Sequence, residues 1–176
     1  MNIPEDFSVQ MRKAIGNDEY MRLESALDGE PEVSVRINEA KCSSRPGLLD
    51  LAGAERVPWS QAGYYLKSRP KFTFDPLLHA GMYYVEEPSS MFVEQAFTTA
   101  KSMLPLHRVL DLCAAPGGKS TQLAGKMQGR GLLVCNEINS KRAKILASNI
   151  ERLGIANALV LNEHPQRLEP RFQGYF

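Results

Sequence analysis

The feature that most limits the fold is a run of three short apolar stretches separated by helical spacing in the C-terminal half of the chain. Arg108-Val109-Leu110-Asp111-Leu112 reads as a strand, and a Gly-rich turn and a short helix over about 119–127 follow it. Leu132-Leu133-Val134-Cys135, bounded by Gly129 and Gly131, reads as a second strand. Residues 140–153 carry Ala143, Leu146, Ala147, Ile150 and Leu153 on one stripe, with Asn139 placed to cap the start and Gly154 to end it. Ala158-Leu159-Val160-Leu161 is a third strand. Strand–helix–strand–helix–strand at this spacing is the first half of a doubly wound parallel sheet.

The N-terminal part has a different texture. Phe7, Met11 and Ile15, then Tyr20, Leu23 and Leu27, recur near helical spacing, with Gly16-Asn17 between the two sets and Gly29-Glu30-Pro31 after the second. Val33-Ser34-Val35-Arg36-Ile37 alternates as a half-buried strand with Ser34 and Arg36 on its other face. Residues 42–76, rich in Pro and Gly, suit short strands and turns. Pro88-Ser89-Ser90 suits a helix start running through Met91, Val93 and Phe97, with Ser89 or Ser90 as cap. The expectation is a small α+β unit over 1–80 and an α/β unit over 81–176.

Charge is uneven although the net is +1. Residues 1–35 are acidic, whereas 36–71 hold seven Lys/Arg (Arg36, Lys41, Arg45, Arg56, Lys67, Arg69, Lys71) against three acids, interleaved with Trp59, Tyr64 and Tyr65. Such a stretch is either a solvated face with a few core aromatics or a track for a phosphate backbone. Three cysteines without Cys-x-x-Cys spacing (Cys42, Cys113, Cys135) argue against a disulfide framework, and no His or Cys pair has metal-ligand spacing. No metal and no membrane are expected: no apolar run approaches the roughly 18 residues of a membrane span. The start lacks a basic and apolar leader pattern, so cytoplasmic residence is the default expectation.

The chemistry-bearing segment is Asp111-Leu112-Cys113-Ala114-Ala115-Pro116-Gly117-Gly118-Lys119-Ser120, just beyond the first parallel strand, where such sheets present their ligand crevice. Three ligand readings compete. A phosphate-binding P-loop needs glycine where Cys113 stands, and Pro116 removes an amide the cradle would use. A dinucleotide turn needs Gly-x-Gly-x-x-Gly, and only Gly117-Gly118 is present. S-adenosylmethionine has no phosphate; it needs a close turn for its amino-acid end and an acid for its ribose hydroxyls. Glu137, at the end of the second strand, is that acid, or else an exposed cap of the next helix. The turn and the acid together favour S-adenosylmethionine.

With these residues in view, Val109 through Thr121 resembles the first motif of the Nop/Sun family of RNA cytosine-5 methyltransferases, and within it the bacterial RsmB/RsmF type, RsmF-like in particular. Val35-Arg36-Ile37-Asn38 resembles the family's N-terminal strand. Val57-Pro58-Trp59, Phe74-Asp75-Pro76 and Gly81 through Met91 resemble the run-in to its core. Asn136-Glu137 through Gly154 resembles the second motif with its helix. The resemblance implies an α/β fold, the first half of a doubly wound Rossmann-like methyltransferase sheet preceded by a small α+β N-terminal domain that faces RNA. It implies that Cys113, Ala114, Ala115, Pro116, Gly117, Gly118 and Lys119 form the S-adenosylmethionine loop and that Glu137 holds the ribose. Arg142 is either a neighbour of that site or a surface helix charge. Where the family often places an Asp for the adenine amino group, the matching place here is near Asn162-Glu163-His164, with His164 at the Asp position, and no adenine contact is assigned. The RNA implied is ribosomal, with transfer RNA as the other class the family uses.

The family attacks carbon 6 of cytosine with one cysteine thiolate and uses a second thiol for product release. One of them lies in an Asp-Ala-Pro-Cys segment, and no such segment occurs in these 176 residues. No catalytic residue is therefore assigned, and Cys113 is read as a small residue of the cofactor turn. The expectation is a chain that stops before the catalytic cysteine motifs and is inactive alone; the alternative is a noncatalytic protein that binds RNA or a partner.

Overall fold

The structure, a computed structural model, describes residues 3–42, 51 and 53–176. Arg45, and part of the Pro- and Gly-rich stretch expected to hold short strands and turns, lie outside the described residues. The chain forms two compact units, Met1–Glu32 and Val33–Phe176.

The first unit is a helix pair, α1 (Glu5–Ile15) and α2 (Asn17–Asp28). Acids in both first turns and Arg12 and Lys13 in the last turn of α1 suit the helix dipoles. Tyr20 ties the helices: its hydroxyl donates to Ser8 Oγ at 2.7 Å and to Glu24 Oε1 at 3.0 Å, and Arg12 lies over its ring.

The second unit holds two three-stranded sheets. In the first, β1 (Val33–Ile37) is central and antiparallel to both β2 (Gly63–Leu66) and β3 (Tyr83–Val85), with Val35 opposite Tyr64 on one side and Val85 on the other. A short α3 (Pro76–His79), capped by Asp75 accepting from the Leu77 amide at 2.9 Å, leads into β3. Val35, Ile37, Leu51, Tyr64, Phe72 and Tyr83 form this sheet's core. Next come a 3-10 turn over Pro88–Phe92 and α4 (Val93–Met103). The helix expected from Ser89 or Ser90 thus begins at Val93. Neither serine caps it: Ser89 Oγ donates to Glu87 Oε1 at 2.8 Å, and the Pro88 turn precedes the first α-helical bond.

The second sheet is parallel, in the order β4-β5-β6, built from β4 (Arg108–Asp111), β5 (Leu132–Asn136) and β6 (Ala158–Leu161). Helices α5 (Gly118–Met127) and α6 (Ser140–Leu153) connect the strands, and α7 (Pro165–Phe172) follows β6. Asn139 caps α6 by accepting from the amides of Lys141 and Arg142. β5 is the buried centre, with Leu133, Val134 and Cys135 wholly inaccessible. The near-continuous apolar run expected of a parallel strand covered on both faces therefore falls on the middle strand.

One expectation fails. Ser34 and Arg36 do not face solvent; both are buried, so β1 is covered on both sides. The physical reason is the first turn of α5, which packs on that face: Arg36 Nη2 donates to Gly118 O at 3.1 Å and to Thr121 Oγ1 at 2.7 Å. A second seam joins the antiparallel sheet to the C-terminal end of α6. Asn38 Nδ2 donates to Gly81 O (2.8 Å) and Leu153 O (2.9 Å), and Lys41 Nζ donates to Ala80 O (2.9 Å) and Arg152 O (2.8 Å). Gly81 has φ +70 and no room for a side chain, since a Cβ would fall 1.9 Å from Arg152 O.

Candidate functional site

The turn between β4 and α5 builds the site. Ala114 and Ala115 are buried in the parallel-sheet core, because the chain passes tightly over β5: the Ala114 amide donates to Asn136 O at 2.8 Å. Cys113 and Pro116 are exposed, as is Lys119, the second residue of α5. Gly117 takes φ +112, a left-handed conformation costly to residues with a side chain, and closes the turn onto Leu146. The first helical bond of α5 runs from the Thr121 amide to Gly117 O at 2.8 Å, so the amides of Gly118, Lys119 and Ser120 stand ahead of it. Ser120 Oγ donates to Asp111 Oδ2 at 2.6 Å and fixes the last residue of β4.

Glu137 sits at the carboxyl end of β5 and is buried. Its Oε1 accepts from the Asn139 amide at 2.9 Å, and its Oε2 pairs with Arg142 Nη1 at 3.1 Å. Arg142 also reaches the turn, with Nη2 donating to Ala115 O at 2.7 Å. The geometry thus joins Arg142 to both Glu137 and the turn. His164 is exposed at the N-cap of α7 and makes no side-chain capping hydrogen bond there. The strand ends are instead locked by two asparagines. Asn136 Nδ2 donates to Leu112 O and Glu163 O while its Oδ1 accepts from the Glu163 amide, and Asn162 Nδ2 donates to Glu137 O and Ile138 O.

A cavity of about 250 Å³ lies against the turn, lined by Asp111, Cys113–Pro116, Gly118 and Lys119 on one side and by Tyr84–Glu87 and Ser90 on the other. The second wall was not anticipated from the sequence. Its key member is Glu86, whose Oε2 accepts from Arg36 Nε at 2.9 Å with both side chains almost fully buried. Glu86 Oε1 is buried and has no hydrogen-bond partner among the described residues. Fifty residues separate this pair in sequence, and no local pattern marks it.

The cysteines differ. Cys135 is buried in β5, and burial pushes its thiol up to about 11. Cys113 is exposed at the cavity. Among the described residues no group of His, Cys, Asp and Glu could hold a metal, and no helix is long and apolar enough to cross a membrane. In the basic segment, Trp59 donates its indole N–H to Pro88 O, and Arg56 lies over the ring of buried Tyr64 and donates to Gln61 O.

A parallel βαβαβ sheet with a small-residue turn after its first strand and a buried acid after its second defines the N-terminal half of a Rossmann-like methyltransferase domain. Solved structures agree. A methyltransferase homolog protein from Pyrococcus horikoshii superimposes with a TM-score of 0.78 at 25% identity, covering 97% of this chain and 56% of that one. NSun6 from Pyrococcus horikoshii, solved with SFG, shares the fold at a TM-score of 0.73 and 16% identity, covering 95% of this chain and 67% of that one. A family model described as the N-terminal domain of 16S rRNA methyltransferase RsmF matches residues 3–88, and one described as 16S rRNA methyltransferase RsmB/F matches residues 103–174. Ribosomal RNA small subunit methyltransferase F of Vibrio atlanticus is 33% identical over 168 residues, 91% of this chain and 35% of the relative. The protein of the same name from Shewanella sediminis is 35% identical over 130 residues, 70% of this chain and 27% of the relative. The chain belongs to the RsmB/RsmF family of 16S rRNA methyltransferases. It spans about a third of the length of the curated relatives it matches.

Proposed function

We propose that this chain binds S-adenosylmethionine in the cavity at the β4–α5 turn and is the cofactor-holding part of an RNA cytosine-5 methyltransferase acting on ribosomal RNA. The observation that carries the reading is that Arg142 ties Glu137 to Ala115 of the turn, beyond the carboxyl ends of β4 and β5, while the same turn lines the cavity. The residues fit the group. Three amides ahead of the first bond of α5 suit a carboxylate, Glu137 keeps lone pairs for ribose hydroxyls, and a side chain at Gly118 would narrow the cavity. Cys113, Ala114, Ala115, Pro116, Gly117, Gly118 and Lys119 supply the turn; Arg142 orients Glu137 and braces Ala115. When bound, the cofactor supplies an electrophilic methyl group. Residues 1–80 serve as the RNA-facing part and 81–176 as the first half of the methyltransferase domain, a division of roles and not of packing.

These 176 residues, lacking an Asp-Ala-Pro-Cys segment, do not by themselves methylate RNA. The test has two arms. S-adenosylhomocysteine titrated into the chain shifts the amide resonances of residues 113–115, 117–119 and 137. Tritiated S-adenosylmethionine with unmodified ribosomal RNA leaves no label on cytosine. No ligand shifts at those amides would overturn the binding reading. Label that disappears in Cys113→Ser would make Cys113 the nucleophile.

A further inference from the structure

Glu86 presents an acceptor that no donor among the described residues uses. Its Oε2 is held by Arg36 Nε, and Arg36 is itself fixed by Gly118 O and Thr121 Oγ1, so the carboxylate cannot swing away. The other oxygen, Oε1, is buried and unpartnered on a residue that lines the cavity. A Cβ at residue 118 would come within 2.7 Å of it and 3.5 Å of Tyr84 Cε1, so the bare glycine is what lets the carboxylate sit beside the start of α5. A buried anionic oxygen left without a donor is costly, and the favourable complement is a cation that donates hydrogen bonds.

Beside Glu86, Gly118 and Lys119 line the cavity, and their amides stand ahead of the first bond of α5 at a helix N-terminus, which favours an anion. One wall thus offers a carboxylate oxygen and the adjoining wall offers amide donors. A phosphate would meet Glu86 with like charge. A free amino acid end, carrying an ammonium and a carboxylate on one carbon, matches both walls at once.

We propose that Glu86 accepts a hydrogen bond from the α-ammonium of the cofactor's amino-acid end, and that Arg36 is the positioning residue that aims it. This inference rests on the S-adenosylmethionine reading above. Glu86→Gln tests it with little change of shape: the amide oxygen still accepts from Arg36 while its NH₂ replaces the acceptor at the Oε1 position. Two probes are titrated, S-adenosylhomocysteine and 5′-methylthioadenosine, which lacks the amino-acid end. The expected result is an affinity for S-adenosylhomocysteine about ten-fold weaker, with 5′-methylthioadenosine changed less than about two-fold. Equal weakening of both probes would assign Glu86 a purely structural part and overturn the proposal, as would no change in either. Failure of the unsubstituted chain to bind either probe would instead overturn the cofactor reading itself. If Glu86→Gln does not fold, the Arg36→Met, Glu86→Gln pair removes the uncompensated charge and is read in the same way. In the unsubstituted chain, deaminated S-adenosylhomocysteine binds about ten-fold more weakly than its parent, and equal affinities overturn the proposal without any substitution.

Discussion

Glu137→Ala separates the two jobs that the structure gives this carboxylate. As a structural group, it accepts from the Asn139 amide at 2.9 Å and pairs with Arg142 at 3.1 Å. The amide bond is worth about 1 kcal/mol net. The ion pair involves an arginine whose side chain is 54% exposed, so solvent screening reduces it to about 0.5 kcal/mol. The chain should therefore lose about 1–2 kcal/mol and stay folded. As the proposed ribose acceptor, Glu137 would form two charge-assisted hydrogen bonds, together worth about 1.5–3 kcal/mol, which is roughly ten- to hundred-fold in affinity. Glu137→Gln isolates the second effect, because its amide oxygen can still accept from Asn139. The assay is a chemical-shift titration with S-adenosylhomocysteine, which reads weak dissociation constants directly, alongside thermal melting. An unchanged dissociation constant in folded Glu137→Ala would remove this residue from the cofactor site.

Three further outcomes follow from the packing. Gly81→Ala imposes left-handed strain and puts a methyl 1.9 Å from Arg152 O, so it should open the α6 seam and destabilise the chain by about 3 kcal/mol or more, read as the denaturant midpoint. In a timed alkylation, Cys113 should react first and Cys135 last, with S-adenosylhomocysteine slowing Cys113; mass spectrometry that finds Cys135 labelled early would contradict the buried β5. Burial pushes the Glu94 carboxyl up, but Lys126 at 2.6 Å, Ser60 and the Gln61 amide outweigh it and hold the carboxyl below its ordinary value. A lowered folded value means stability that is complete above the unfolded pKa and lost as pH falls through the folded one. Lys126→Met should therefore move the acid-side loss of melting temperature to higher pH.

The parallel unit was legible because each of its signals is local. The apolar stripe of α6, its Asn139 cap and Gly154, and the glycines around β5 all act within a few residues. The turn that carries the site is local as well, and it lies where the strand–helix pattern puts it. Arg36 and Glu86 were not legible. Alternation in β1 gives two faces but cannot say what covers each, and a buried ion pair across fifty residues leaves no periodic trace. Arg142 could be placed on α6 from sequence, but only the fold brings its guanidinium to both Glu137 and Ala115. The helix start near Pro88 was misplaced because a 3-10 turn and an α-helix begin with the same residue types.

The seam at the end of α6 has a consequence for how the chain is made. The carbonyls of Arg152 and Leu153 close with Lys41 and Asn38, more than a hundred residues earlier in the sequence. A ribosome delivers those donors first, so the antiparallel sheet can already be waiting when α6 emerges, and the helix end is sealed by tissue laid down long before it. Synthesis in the opposite order, as in a circular permutant begun at residue 81, would release α6 with its terminal carbonyls open to any passing donor until the last residues arrived.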